Sequence, residues 1–240
     1  MDALNVILLG FFIGIVGTGS GGALTFLYRN PSNRFLSTIM GFAGGLMLSV
    51  VTFDLLPHAF EVHSYMTGLF GMIVGVLIVI IFDDLVSTSG HKKNDYLKEG
   101  IIMGLAIAVH NFPEGLAVGS GFMASKAFGI SIALVIVLHD VPEGIAMATP
   151  LSLGGVTPLK NMIYAILAGI PTGIGTIAGV YMGEISPFFI SLNLGIAGGA
   201  MLYVICGEMI PQSRDLYKGR ISVIGMIAGV IGGIIITELL

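Results

Sequence analysis

The sequence predicts an all-α membrane protein with eight transmembrane helices. Of its 240 residues, 55% are hydrophobic and 10% are charged, whereas a soluble domain carries about 25% charged residues. Uncharged runs such as 67–81 and 221–236 approach or reach the length of a bilayer crossing. The 36 glycines fit the same class, because small residues let helices approach closely inside a bilayer.

Apolar runs and loop residues divide the chain into eight predicted spans, which leave no room for a separate soluble domain. Pro31, Gly90, Pro158 and Pro187 mark short connections. The first apolar run continues to about Tyr28 without a preceding basic segment, which predicts a spanning helix and not a cleaved signal peptide. The predicted spans are 4–28, 35–58, 67–87, 99–122, 127–150, 158–182, 187–210 and 217–240.

The basic residues fall almost entirely on one side of this arrangement. Lys126 is alone on the other side, in the loop between the fourth and fifth spans. Basic loops stay in the cytoplasm, so the pattern predicts a protein of the cell membrane with both termini outside. The basic residues on the predicted cytoplasmic side are Arg29, Arg34, Lys92, Lys93, Lys98, Lys160, Arg214, Lys218 and Arg220.

An internal repeat relates the first three spans to the last three. Residues 41–48 (GFAGGLML) align with residues 195–202 (GIAGGAML), and the same offset of 154 residues aligns Asp54 with Glu208. Chance similarity among glycine-rich helices is the alternative, but it does not explain why acids and prolines keep the same register. Five spans separate equivalent helices, so the copies are predicted to be inverted, as in many transporters.

The fourth and fifth spans each carry one copy of a polar motif, HNFPEG at 110–115 and HDVPEG at 139–144. A histidine and a glutamate four residues apart share one face of a helix. Two antiparallel helices therefore present two histidines, three carboxylates and an amide to each other. These candidate metal ligands are His110, Asn111, Glu114, His139, Asp140 and Glu143.

Both motifs are predicted to lie near the middle of the membrane. His110 follows Lys98 by 12 residues and His139 follows Lys126 by 13, which corresponds to a depth of about 18–20 Å on a helix. Ionisable groups at that depth are costly and indicate function. A hydrogen-bonded network that only joins helices is the alternative, but two matching copies at one depth favour a divalent cation that relieves the repulsion.

Imidazole and carboxylate together suit zinc, ferrous iron and other first-row divalent ions. The ligand set is larger than one tetrahedral ion needs. It therefore fits either two adjacent metal ions or one ion that passes between ligands.

These residues resemble those of the ZIP family of zinc and iron transporters, whose most specific mark is the paired H-x-x-P-E-G motif. The resemblance covers essentially the whole chain. It implies uptake of divalent metal into the cytoplasm, a homodimer, and an elevator-like movement of spans 1, 4, 5 and 6 against spans 2, 3, 7 and 8. Some bacterial members carry a further glutamate on span six, where this sequence has Thr172.

The resemblance also implies two metal positions that share two glutamates. The first position is implied for His110, Glu114, His139 and Glu143, and the second for Asn111 and Asp140 together with the same Glu114 and Glu143.

Other acids and histidines fall where an ion would enter or leave. Asp54 and His58 approach the predicted outer mouth, and Glu238 is expected on the same side. By the inverted repeat, the predicted cytoplasmic mouth holds Asp83, Asp84 and Glu208. Acidic groups at a mouth raise the local concentration of cations.

The sequence thus predicts a transporter of divalent cations in the lipid bilayer, with zinc first and Fe²⁺, Mn²⁺, Cd²⁺ or Co²⁺ as further substrates. It does not predict an enzyme or a nucleic-acid partner. One alternative is an intramembrane metal-dependent hydrolase, although no H-E-x-x-H helix is present. The other is a metal-selective channel, although strong ligands at the midplane slow the release of ions.

Overall fold

The computed structural model describes residues 2–87 and 96–239, so His91, Lys92 and Lys93 lie outside the described residues. Within those two ranges the chain forms helices and no strand. Eight helical segments of the described residues are long and apolar enough to cross a bilayer. The predicted all-α class with eight transmembrane helices is therefore confirmed.

The helices follow one another with short connections. Helix α1 is extended by a 3₁₀ turn at Leu24–Phe26, and π-helical turns at Val51–Leu55 and Ile205–Met209 join α2 to α3 and α8 to α9. The helices are α1 (Ala3–Ala23), α2 (Asn33–Val50), α3 (Leu56–Val62), α4 (Tyr65–Ser87), α5 (Tyr96–Ala124), α6 (Lys126–Leu153), α7 (Pro158–Ile185), α8 (Pro187–Val204), α9 (Ile210–Leu216) and α10 (Ile221–Leu239).

The two π-helical turns carry Asp54 and Glu208, one acid in each. A proline follows each acid three residues later, at Pro57 and Pro211. Because proline has no N–H to donate one turn back, the regular hydrogen-bond ladder is interrupted there. Such turns inside long helices are frequent at functional sites.

Equivalent elements of the predicted repeat also make equivalent contacts. A side chain at Gly45 would strike the backbone of Met226 on α10, and a side chain at Gly199 would strike the backbone of Met72 on α4. Each residue of the first pair lies 154 residues from its counterpart in the second. The matched contacts support the internal repeat, while the opposite orientation of its copies in a membrane stays a prediction.

The helices form two bundles. Helices α1, α5, α6 and α7 pack together in one, which we call the motif bundle, and α2, α4, α8 and α10 with the short α3 and α9 form the other, which we call the repeat bundle. The bundles meet mainly where α2 packs on α6 and α5 packs on α8.

Close glycine packing holds each bundle together but does not join the two. A Cβ at Gly115 of α5 would strike the carbonyl of Thr172 on α7, and a Cβ at Gly229 of α10 would strike the carbonyl of Phe42 on α2. Among the described glycines, every position where a Cβ would strike another helix's backbone faces a helix of its own bundle. Larger side chains fill the interface between the bundles.

Helices α4 and α10 expose their apolar side chains most fully. Phe70, Ile73 and Leu77 on α4, with Ile227 and Ile231 on α10, are each more than half exposed. A continuous apolar face of this kind is stable against lipid and not against water. The repeat bundle therefore presents these two helices to the bilayer.

Candidate metal site

The two polar motifs lie in the middle of α5 and α6, which pack against each other inside the motif bundle. Pro113 and Pro142 lie within the helices and leave carbonyls without their usual partners. Gly115 packs on α7, and Gly144 packs on the carbonyl of Thr18 in α1. Each motif thus has a neighbouring helix at its back, and Glu114 of one motif faces His139 of the other.

The structure brings three of the six predicted ligands into one compact group. One ligand atom each from Glu114, His139 and Glu143 lies within 4.8 Å of the other two, and all three side chains are buried. His139 Nε2 lies 3.0 Å from Glu114 Oε1. His139 Nδ1 lies 2.9 Å from the carbonyl oxygen of Val135, which fixes the ring and directs Nε2 into the group.

Several buried oxygens beside this group have no hydrogen-bond partner among the described residues. They include both carboxylate oxygens of Asp140, one oxygen of Glu114, one of Glu143 and Oδ1 of Asn111. Asp140 Oδ1 does lie 3.5 Å from His139 Nε2. A single charge at the centre of a bilayer costs at least about 2.5–3.5 kcal/mol. Three buried carboxylates with so few donors require cations, which metal ions or protons supply.

Of the three remaining predicted ligands, Asp140 lies beside the group, while His110 and Asn111 contact different partners. His110 Nε2 lies 3.2 Å from Glu208 Oε1, on the repeat bundle, and His110 is not part of the compact group of three. Asn111 donates from Nδ2 to the carbonyl oxygen of Ala168 at 2.7 Å. Thr172, which stands where some relatives carry a glutamate, is buried with its hydroxyl unpartnered among the described residues.

A chain of cavities leads from the site to one end of the molecule. A cavity of about 40 Å³ is lined by His110, Glu143, Glu208 and Gln212. Gln212 also lines a wider cavity of about 280 Å³, bounded by residues near helix ends such as Tyr96. The described helix ends and connections at that end carry Arg29, Arg34, Lys98, Lys160, Arg214, Lys218 and Arg220.

The opposite side of the site is closed by packed apolar side chains. A gap of only about 10 Å³ remains beside His139. We call these side chains the outer seal, after the outward orientation that the basic residues predict for this side: Met47, Val50, Val51, Leu55, Ile132, Val135, Ile136 and Met201. The site is therefore open toward the basic loops and closed toward the other end.

The predicted pathway acids differ in their surroundings. Asp54 is buried and accepts a hydrogen bond from the Ser131 hydroxyl at 3.1 Å. Asp83 accepts one from the Tyr203 hydroxyl at 2.9 Å and lines a small cavity with His110 and Glu208. His58 lies beside Asp54. Asp84 and Glu238 are exposed near helix ends, away from the metal group.

Two residues of α1 that motif reading did not single out complete the site. A Cβ on Gly17 would lie 2.6 Å from the Cβ of Asp140 and 2.7 Å from its Oδ2. The Thr18 hydroxyl lies 3.5 Å from Asn111 Nδ2. The small-residue run at 17–22 (GTGSGG) was the available signal, since it lets the backbone of α1 approach the ligands.

We expect Gly17→Ala to weaken zinc binding about 10–100-fold, the range typical of residues that position metal ligands. The new methyl group would displace Asp140 without removing any ligand. Titration of the purified protein with zinc in a calorimeter measures the change. Gly44→Ala is the matched control, because its added Cβ would find its nearest neighbour at 3.6 Å. Equal affinities in the two variants would contradict the positioning role.

The fold and the site define a polytopic membrane protein with a buried group of candidate metal ligands inside one of its two helical bundles. The sequence model of the family described as ZIP Zinc transporter matches residues 96–237, more than half of the chain. The chain belongs to this family, as the resemblance in its motifs predicted.

Curated relatives show similarity over about half of their length. The zinc transporter ZupT of Corynebacterium efficiens is 30% identical over 49% of this chain and 53% of its own length. ZupT of Nitratidesulfovibrio vulgaris is 29% identical over 54% and 58%, and the zinc transporter ZTP29 of Arabidopsis thaliana is 30% identical over 55% and 56%. All three are named as transporters and none as an enzyme.

Proposed function

We propose that this protein carries divalent metal cations, zinc first, across the cell membrane into the cytoplasm. The observation that supports this most strongly is the compact group of Glu114, His139 and Glu143, buried with unpartnered carboxylate oxygens beside it. A cation that enters this group cancels the repulsion among the acids and replaces the water that they lost on burial. Zinc is the first candidate because the relatives bear its name and the ligands suit it.

The ligand set favours transport over permanent retention. Structural zinc sites usually contain thiolates and close around the ion, whereas the only cysteine, Cys206, is exposed and lies outside the group. Asp140 and Asn111 offer oxygens for a second metal position next to the first, as the family resemblance implies. His110 and Glu208 lie on the cavity that leads away, so we propose that they receive the ion as it leaves.

Access from one end at a time is the second part of the proposal. In the state described here, the cavities open toward the basic loops and the outer seal closes the other end. The positive-inside rule makes the open end cytoplasmic. The seal favours a carrier over a channel that is open at both ends in this state. The absence of close glycine packing between the bundles, among the described residues, supports sliding of one bundle against the other.

Purified protein in liposomes tests the proposal directly. We expect saturable uptake of zinc, with Fe²⁺, Mn²⁺, Cd²⁺ and Co²⁺ as competitors of graded strength, at a rate typical of carriers. The same panel at two external pH values shows whether protons move with the metal. No uptake of any of these ions by protein that binds zinc and stays folded would overturn the proposal. A flux that does not saturate would favour the channel.

A further inference from the structure

We propose that Asp54 has two alternative partners, the Ser131 hydroxyl when the outer side is closed and an incoming divalent cation, shared with His58, when that side is open. The Asp54–Ser131 contact would then act as a latch that an arriving ion releases. This inference rests on the proposed transport function and adds to it a residue, Ser131, that positions the two bundles.

Two contacts join the bundles beside the outer seal. Ser131 Oγ on α6 donates to Asp54 Oδ2 at 3.1 Å, in the π-helical turn that follows α2. One turn further, the ring of His58 on α3 stacks on Phe128 of α6, with centroids 3.9 Å apart and planes 11° apart. Both contacts cross from the repeat bundle to the motif bundle, so opening of the outer side must break both.

The latch and the seal share the same elements. Ile132 and Ile136 of the seal lie on α6 next to Ser131, while Val51 and Leu55 lie in the π-helical turn with Asp54. A movement of α6 that separates the apolar side chains also separates the hydroxyl from the carboxylate. The hydrogen bond is therefore formed when the seal is closed and broken when it is open, and forming it stabilises the closed seal.

The charge of Asp54 is poorly compensated by this arrangement. The residue is 5% exposed, and Ser131 gives its carboxylate one neutral donor. His58 Nδ1 lies 3.4 Å from Asp54 Oδ1 but only 2.9 Å from the main-chain oxygen of the same residue. A doubly charged cation neutralises a carboxylate far better than a hydroxyl does. Asp54 is almost fully buried while Ser131 and α6 cover it, so a cation reaches the carboxylate only after α6 has moved away, and the two partners exclude each other.

Because Ser131 and the cation cannot both bind Asp54, binding of the ion is coupled to opening of the outer side. A ligand that binds one conformation better than another shifts the population toward the first. A cation on Asp54 and His58 can be present only when Ser131 has left, so it stabilises the outward-open state. Movement without cargo would then be disfavoured, because the empty protein keeps its latch.

The other repeat shows a contact of the same kind. Glu208, the equivalent of Asp54, lies in the second π-helical turn and contacts His110 on α5 at 3.2 Å. In each repeat the acid of the π-helical turn therefore contacts a helix of the motif bundle, α6 for Asp54 and α5 for Glu208. The symmetry supports a common position for both acids, at the boundary between the two bundles on the path of the ion.

The accessibility of a cysteine within the outer seal tests the latch. Ile136→Cys in a Cys206→Ser background gives a reporter that is buried in this state, since Ile136 is 1% exposed. The rate of its reaction with a polar maleimide is measured in nanodiscs with and without zinc. Ser131→Ala is expected to raise this rate about tenfold, because a hydrogen bond to a charged group contributes a factor of this order. Ser131→Thr keeps the hydroxyl and should react like the reporter alone.

Two further variants ensure that the test does not depend on Ser131→Ala alone. Phe128→Leu removes the stacked ring and should also accelerate the reaction. Ser120→Ala is the matched control, because that hydroxyl bonds to Gly179 within the motif bundle and crosses no interface. Zinc should accelerate the reaction of the reporter but not that of a reporter that also carries Asp54→Asn.

The outcomes separate the latch from the transport proposal. If Ser131→Ala reacts at the same rate as Ser120→Ala, or if zinc acts equally on Asp54→Asn, the latch is overturned even when uptake in liposomes is normal. If the labelling behaves as expected, the latch is supported. A failure of metal uptake in the same preparation would then count against transport alone.

Discussion

Replacement of Glu143 by glutamine is expected to lower zinc uptake at least about 100-fold while the protein stays folded. Glutamine keeps the size of the side chain, so the packing of α5 against α6 should survive. It removes one of the two carboxylates of the compact group, whose ligand atoms lie within 4.8 Å of one another. Loss of an outer-shell residue alone costs 10–100-fold in metal affinity, and loss of a direct ligand should cost more.

Initial rates of radioactive zinc uptake into liposomes measure this effect. Glu184→Gln is the matched control, because the same chemical change is made at an exposed acid near the end of α7. Thermal unfolding in detergent shows whether both variants remain folded. Normal uptake by folded Glu143→Gln would mean that the buried group is not the transport site, and the central proposal would fail.

Substitution of valine for Gly229 is expected to prevent stable folding. The first added carbon would meet the carbonyl oxygen of Phe42 on the neighbouring helix α2, so the two backbones would have to separate along their length. Overpacking in a core usually costs 1–3 kcal/mol. A cost of about 3 kcal/mol or more is expected here, since a backbone cannot rotate aside as a side chain can.

Gly232→Val lies three residues away on the same helix and provides the control. A Cβ there has Leu46 Cδ1 as its nearest neighbour at 3.8 Å, which is ordinary contact. The yield of monodisperse protein and its midpoint of thermal unfolding distinguish the two variants. If both variants unfold at the same temperature, close packing between α2 and α10 does not hold the repeat bundle together.

The number and class of the helices could be predicted from the sequence because each span satisfies its own constraint. A segment that crosses a bilayer must be long and apolar whatever its neighbours are. The ends were less well defined. The fourth span was predicted at 99–122 and extends over Tyr96–Ala124, and the second was predicted at 35–58 and extends through α3 to Val62. Polar residues continue a helix beyond the apolar core, where hydropathy gives no signal.

The candidate site could be predicted in part for a similar reason. A histidine and a glutamate four residues apart share a helix face in any fold, so the spacing predicts that His139 and Glu143 lie side by side, whereas only the packing of α5 on α6 adds Glu114. The contact between His110 and Glu208 was not predicted as a pair, because it joins two bundles whose relative position no single segment of the sequence determines. Ser131 had no sequence signal at all, since serines are common in membrane helices.

The sequence by itself determined that this chain has eight membrane-spanning helices and carries paired His-Glu motifs in the fourth and fifth of them, because hydropathy and helical spacing act within single segments. The tertiary structure decided which ligands meet, that α1 stands behind Asp140, and that the site opens at one end and is sealed at the other. Those features arise from contacts between helices that are distant in the chain. The effect of a glycine, a serine or a methyl group there depends on the surface of the other helix that it contacts.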